Sequence, residues 1–129
     1  MRVIFMGTPD FSVGALKALA ENGYEIAGVV TQPDKPRGRG KASAMTPVKE
    51  AALELGLTVY QPARVREQSF MDTVRALNPD VIVVSAFGQI IPKALLELPR
   101  YGCVNIHASL LPKYRGAAPI QCALMDGEP

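Results

Sequence analysis

Short runs of Val and Ile alternate along the chain with stretches whose apolar residues recur at helical spacing. That alternation is the pattern of a parallel α/β sheet. Arg2 to Met6 is expected as the first strand. Thr8 is expected to cap the helix that follows, with Pro9 in its first turn and Asp10 at its positive end. Phe11, Ala15, Ala18 and Leu19 would share one face of that helix, which ends at Asn22-Gly23. A second strand spans Ile26 to Thr31, and Gln32 to Thr46 reads as a long irregular stretch. Thr46-Pro47 opens a helix that runs to Leu55 and stops at Gly56. A short strand, Thr58 to Tyr60, leads to a helix from Glu67 to Leu77, broken by Asn78-Pro79. Val81 to Val84 is wholly apolar, as in a central strand buried on both faces. Pro92 to Leu98 reads as a short helix, Cys103 to Ile106 as a further strand, and the segment from Pro119 to Gly127 as a last helix. There is no internal repeat and no interdomain linker.

Strand, helix and strand in this order predict right-handed crossovers and an open, twisted, mostly parallel sheet with helices on both faces, a Rossmann-like arrangement. Ligands of such sheets bind beyond the carboxyl ends of the strands, near the point where strand order reverses. With a 3-2-1-4-5 order, the reversal lies between the first strand and Val81 to Val84. Gly7 to Phe11, Thr31 to Pro36, Ala86 to Ile91 and Asn105 to Tyr114 are the segments at that end.

Composition narrows the classes. The chain has 129 residues, of which 48% are hydrophobic and 20% charged, enough for one domain with a real core and too apolar for disorder. Met1 to Met6 is apolar, but Gly7-Thr8-Pro9-Asp10 cuts it short of a signal peptide. No apolar run has membrane-spanning length, so the expected location is cytoplasmic, without a membrane partner. Cys103 and Cys122 lack paired metal-ligand spacing and read as buried thiols, and no metal site is expected. The first turn, Gly7-Thr8-Pro9-Asp10-Phe11, lacks the Gly-x-Gly-x-x-Gly of a dinucleotide site, and Gly38-Arg39-Gly40-Lys41 lacks the flanking residues of a phosphate loop.

Two segments carry candidate chemistry. In Asn105-Ile106-His107-Ala108-Ser109-Leu110-Leu111-Pro112, strand alternation puts Asn105 and His107, the one histidine of the chain, on the same side. An amide donor beside an imidazole suits a carbonyl oxygen that becomes negative during acyl transfer. The same pair can equally satisfy loop backbone. Ile90, Ile91, Leu110 and Leu111 could line an apolar slot for a flat ring, or belong to the core. In Asp34-Lys35-Pro36-Arg37-Gly38-Arg39-Gly40-Lys41, four cations are interleaved with Gly and Pro. The stretch is expected to form a cationic loop suited to phosphate contact, or a solvated surface loop.

Residues 105 to 112, followed by Lys113-Tyr114-Arg115-Gly116-Ala117-Ala118-Pro119, resemble the signature of enzymes that use 10-formyltetrahydrofolate. Phe5-Met6-Gly7-Thr8-Pro9-Asp10-Phe11, Thr31-Gln32-Pro33-Asp34 and Ser85 to Pro92 resemble the methionyl-tRNA formyltransferase family in particular, and the likeness covers essentially the whole chain. It implies a formyltransferase that moves a formyl group from 10-formyltetrahydrofolate, as co-substrate, to the α-amine of initiator methionyl-tRNA. By the resemblance Asn105 and His107 are catalytic, and Gln89, Ile90, Ile91, Ser109, Leu110, Leu111 and Pro112 line the folate pocket. Residues 32 to 46 are then a tRNA-contacting insertion, with Lys35, Arg37, Arg39 and Lys41 as its cations. Arg39, flanked by Gly38 and Gly40, has the freest reach.

The family loop usually continues with more Lys and a Ser-Pro, whereas Lys41 is followed here by Ala42-Ser43-Ala44-Met45. In the family an aspartate on a later segment orients the histidine. The chain reads as a partial catalytic domain that stops before that aspartate and before the C-terminal tRNA-binding domain, with little transfer activity expected of residues 1 to 129 alone. The complete protein is expected to be monomeric. The alternatives are formyl transfer to a sugar nucleotide or other small amine, folate-dependent hydrolysis, and a non-catalytic folate- or RNA-binding fragment.

Overall fold

The computed structural model describes residues 1–36, 43–106 and 120–121. The first strand, β1 (Arg2–Gly7), is followed by a 3-10 turn (Asp10–Ser12) and helix α1 (Val13–Glu21). β2 (Glu25–Val30) then precedes two short strands, β3 (Lys35–Pro36) and β4 (Ser43–Ala44), which pair antiparallel. Helix α2 (Pro47–Glu54), β5 (Val59–Tyr60), α3 (Gln68–Leu77) and β6 (Val81–Ser85) come next. A four-residue helix α4 (Lys93–Leu96), β7 (Cys103–Ile106) and β8 (Ile120–Gln121) complete the order.

The main sheet runs β5-β2-β1-β6-β7-β8. The first five strands are parallel, and β8 pairs antiparallel with β7. The order therefore reverses between β1 and β6, as the alternation of elements implies. Along β6 all five residues are buried, because alternate side chains feed two separate cores. Ile4, Met6, Val30, Ile82, Val84 and Cys103 pack on one face with Phe70, Met71 and Val74 of α3 and Leu95 of α4. Val3, Phe5, Val29, Val81 and Val83 pack on the other with Leu16 of α1 and Val48, Ala51 and Ala52 of α2. Cys103 is a free thiol in the first core, and burial pushes its pKa up to about 11.

Several boundaries hold for the expected reasons. The Thr46 side chain accepts the Lys49 amide at 3.0 Å and caps α2, with Pro47 in its first turn. Asn78 ends α3 in the left-handed region, at φ 52°. At the end of β1, a side chain on Gly7 would place its Cβ 2.8 Å from the Ser85 carbonyl oxygen, so only glycine lets the two strands approach at the reversal.

Four expectations are corrected. Thr8 does not cap α1: the helix is entered through the 3-10 turn with Ser12 at its N-cap position, and the Thr8 hydroxyl donates to the Phe87 carbonyl instead, at 2.6 Å. The buried residue of α1 is Leu16, while Phe11 is 56% exposed. The helical phase starts after the 3-10 turn, which rotates Phe11 off the core face. Gln32 to Thr46 is not wholly irregular, because Lys35 pairs with Ala44 and Pro36 with Ser43. Ile120–Gln121 is strand rather than helix, since its backbone pairs with the Asn105–Ile106 edge of β7. The remainder of that expected helix, and Cys122, lie outside the described residues.

Candidate active site

The carboxyl ends of β1, β6 and β7 converge where strand order reverses, and a cleft of about 440 Å³ opens there. Its wall is made by Phe11 after β1, Val84, Ala86, Phe87 and Gln89 at the end of β6, and Asn105 and Ile106 at the end of β7. Asn105 stands opposite Val84 in the parallel register and opposite Gln121 in the antiparallel one. It is partly buried and lines the cleft, its backbone held by the sheet on both sides. A carboxamide fixed by a strand beside Phe11 and Phe87 is a hydrogen-bond donor in a partly apolar setting, where such a donor stabilises developing negative charge most effectively.

The loop after β6 is shaped by unusual backbone. Ala86 has φ 54° and Gly88 φ 107°. A non-glycine residue in the left-handed region costs ~1–2 kcal/mol, and the surrounding bonds hold the loop against that cost. The Phe87 carbonyl accepts from Thr8. The Gln89 side chain accepts the Val65 amide at 2.9 Å and donates to the Gln32 side-chain oxygen at 2.7 Å and to the Ala63 carbonyl at 3.2 Å. A Cβ on Gly88 would lie 2.7 Å from the Gln32 side-chain nitrogen.

The sequence-predicted site residues are placed as follows. Asn105 and Gln89 line the same cleft. Ile90 is 93% exposed and lines a neighbouring groove with Ala63, Arg64 and Arg66. Ile91 packs against the core beneath α3 and α4. The two isoleucines therefore do not share one wall, as successive residues of an extended loop rarely do. Lys35 is exposed on β3, at the same end of the sheet as the cleft, because β3 follows the carboxyl end of β2. His107, Ser109, Leu110, Leu111 and Pro112, and Arg37, Arg39 and Lys41, lie outside the described residues. Among the described residues, no group of three His, Cys, Asp or Glu side chains could hold a metal ion.

Asp34 forms a second polar cluster at this end. Its carboxylate accepts from Gln61 at 2.7 Å and from Lys49 at 3.1 Å. The Gln61 hydrogen bond, and then Lys49, hold its pKa below the ordinary 3.8. Sequence reasoning put the segments holding Thr8, Phe11 and Gln32 at this end but missed what each does there: the Thr8 bond to Phe87, Phe11 in the cleft wall and the Gln32 pair with Gln89. Gln32 beside Pro33, and the Phe87-Gly88-Gln89 turn, were the available signals.

The family profile described as formyl transferase matches residues 1–129. The methionyl-tRNA formyltransferase of Agathobacter rectalis is 62% identical over 128 residues, covering 99% of this chain and 41% of that protein. That of Lachnospira eligens is 61% identical over 127 residues, covering 98% and 40%. The chain thus spans about two fifths of the length of the curated relatives it matches. Among solved structures, phosphoribosylglycinamide formyltransferase from Anaplasma phagocytophilum superposes with a TM-score of 0.61 at 19% identity, over 90% of this chain and 53% of that one. Glycinamide ribonucleotide transformylase 1 from Symbiobacterium toebii gives 0.61 at 17% identity, over 90% and 55%. At these identities the structural likeness is one of fold.

Proposed function

The chain belongs to the formyl transferase family, and from that premise we propose that it carries the formyl-donor site of an enzyme that formylates initiator methionyl-tRNA from 10-formyltetrahydrofolate. The observation that carries the reading is the position of Asn105, a donor fixed on β7 and facing a cleft at the strand-order reversal. The identity of about three residues in five to relatives named methionyl-tRNA formyltransferase supports the same acceptor over a sugar nucleotide or other small amine.

In the proposed reaction the neutral α-amine of the methionyl group attacks the formyl carbon. The carbonyl π bond breaks and its electron pair moves to oxygen, giving a tetrahedral oxyanion. The Asn105 carboxamide donates a hydrogen bond to that oxygen, which gains strength as charge accumulates. His107, two residues further along the chain, is assigned as the acid: its imidazolium balances the oxyanion and delivers a proton to N10 of the folate as the carbon–nitrogen bond breaks. The amine's own proton leaves to solvent, and the products are the formylated aminoacyl-tRNA and tetrahydrofolate. The folate ring is assigned to the cleft and to main-chain groups of Gln89, Ile90 and Ile91, with Ser109 to Pro112 completing the pocket. Lys35, Arg37, Arg39 and Lys41 are assigned to phosphates of the tRNA, whose binding would then weaken as salt rises. The whole protein is assigned to the cytoplasm, as a monomer.

Asn105→Ala in the intact protein tests the reading. Losing one oxyanion donor raises the barrier by ~2.7–4 kcal/mol, or a loss in kcat of about 10²–10³, with little change in folate affinity. Equal losses in binding and turnover would reduce Asn105 to a residue that shapes the pocket and would overturn its catalytic assignment.

A further inference from the structure

The loop that walls the cleft and the loop that follows β2 are joined by a side-chain amide pair, Gln32 with Gln89. Both ends of the pair are anchored. Gln89 is stitched to the 62–65 segment through the Val65 amide and the Ala63 carbonyl. Next to Gln32, Gln61 donates both to the Gln32 carbonyl, at 3.1 Å, and to Asp34, at 2.7 Å. The Gln32 main-chain amide also reaches the Thr8 hydroxyl, at 3.4 Å. Three loops at the carboxyl ends of β2, β5 and β6 therefore meet on two glutamine side chains, one in the cleft wall and one outside it. Phe87, 2% exposed, and Ile91 anchor this wall to the core beneath it, while Ala86, Gly88 and Ile90 are exposed and pack against nothing that would set its position sideways. The polar pair is the direct side-chain tie between this wall and the loop after β2.

We propose that Gln32 is a positioning residue: through Gln89 its side-chain amide fixes the cleft wall at 86–91 and ties that wall to the loop carrying Asp34. A ligand held in the cleft would consequently order residues 31–35 as well, and by reciprocity a contact that orders residues 31–35 would favour the ligand-competent wall. The ligand side of this inference rests on the assignment of the cleft to the folate donor. The clasp itself does not.

Hydrogen exchange by mass spectrometry on the intact protein, alone and with 10-formylfolate, separates the two. Without ligand, Gln32→Met is expected to speed exchange at 86–91 and 63–66 while leaving β1 and β6 protected, and Gln32→Glu, which keeps the acceptor for Gln89, is expected to restore the slow rate. Unchanged exchange at 86–91 in Gln32→Met overturns the clasp whether or not any ligand binds. With ligand, the native chain is expected to gain protection at both 86–91 and 31–35. Gln32→Met is expected to confine it to 86–91 and to weaken 10-formylfolate binding by roughly 2–10-fold, the size of one hydrogen bond. Protection at 31–35 that persists in Gln32→Met overturns the coupling. A native chain that does not bind 10-formylfolate at all counts against the donor assignment, and the ligand-free comparison still decides the clasp.

Discussion

The two ends of the sheet use the same kinds of group for opposite purposes. At the amino ends of the strands, polar groups close on one another. The Arg2 amide donates to the Asp80 carboxylate at 2.7 Å, and the Asp80 amide returns to the Arg2 carbonyl at 2.8 Å. The Arg2 guanidinium donates twice to the Leu77 carbonyl and pairs with Glu25, while Tyr101 donates to the Asp80 carbonyl at 2.7 Å. At the carboxyl ends the chain instead holds a cleft open. It accepts left-handed backbone at an alanine, Ala86, where the amino end uses Asn78 and glycines, leaves Phe11 exposed and holds Asn105 at the rim. Polar bonds at one end complete the fold, and at the other they keep a space from collapsing. The difference marks the carboxyl end as the candidate site without reference to any relative, because strain such as that at Ala86 persists only where the surroundings over-determine it.

Asn105→Ala draws the contrast most sharply. The loss of turnover expected above, about 10²–10³, should come with a change in unfolding free energy within about 0.5–1.5 kcal/mol, the size of a single neutral hydrogen bond. Chemical denaturation of the variant, measured beside its turnover, checks this. A variant that loses stability in proportion to activity would make the carboxyl end a structural layer like the amino end. The reciprocal change is Asp80→Ala. It removes the charged acceptor of the Arg2 amide and is expected to lower unfolding stability by ~1.5–3 kcal/mol. Folate affinity of the folded fraction should be unaffected, as titration of 10-formylfolate well below the melting temperature would report. A large loss of affinity would mean that the two ends are not independent.

What the sequence made legible follows the same division. The buried strands could be read because burial on both faces leaves an unbroken apolar run, as in Val81–Val84, and helix ends such as Thr46-Pro47 and Asn78-Pro79 carry their signals locally. Asn105 was legible as a candidate through its spacing to His107 and the resemblance carried by residues 105 to 112. The segments of the loop layer were legible too, but not the bonding within it, which joins residues far apart in the chain. Thr8 looks like a helix cap beside Pro9, and only the arrival of the Phe87 carbonyl, 79 residues later, gives its hydroxyl another partner. Gln32 and Gln89 are 57 residues apart and unremarked by any periodicity. Phe11 carries the signature of a core residue, and a 3-10 turn of three residues was enough to put it in the cleft wall. The antiparallel β8 was hidden for a similar reason, because its strand character comes from the open edge of β7 rather than from its own residues.

The smallest effect concerns whether the polar layer at the carboxyl end adds to stability at all. Asp34 is the group to ask, because Gln61 and then Lys49 hold its pKa below the ordinary 3.8. A carboxyl whose folded pKa is depressed stabilises the fold at pH values above its unfolded pKa, and that contribution disappears as pH falls through the folded value. The native chain should therefore lose stability between about pH 5 and about pH 2 more steeply than Asp34→Asn, whose amide has no proton to take up. At neutral pH the native chain should be the more stable by a small margin, since the pair is partly exposed and screened by solvent. Urea midpoints for both chains across that range isolate the effect, because the other carboxylates cancel in the difference. Parallel curves would mean that Asp34 and Lys49 only direct the loop after β2. Converging curves at low pH would show that the carboxyl end contributes to the fold as the amino end does, by a smaller amount and through the loop that the Gln32–Gln89 pair ties to the cleft.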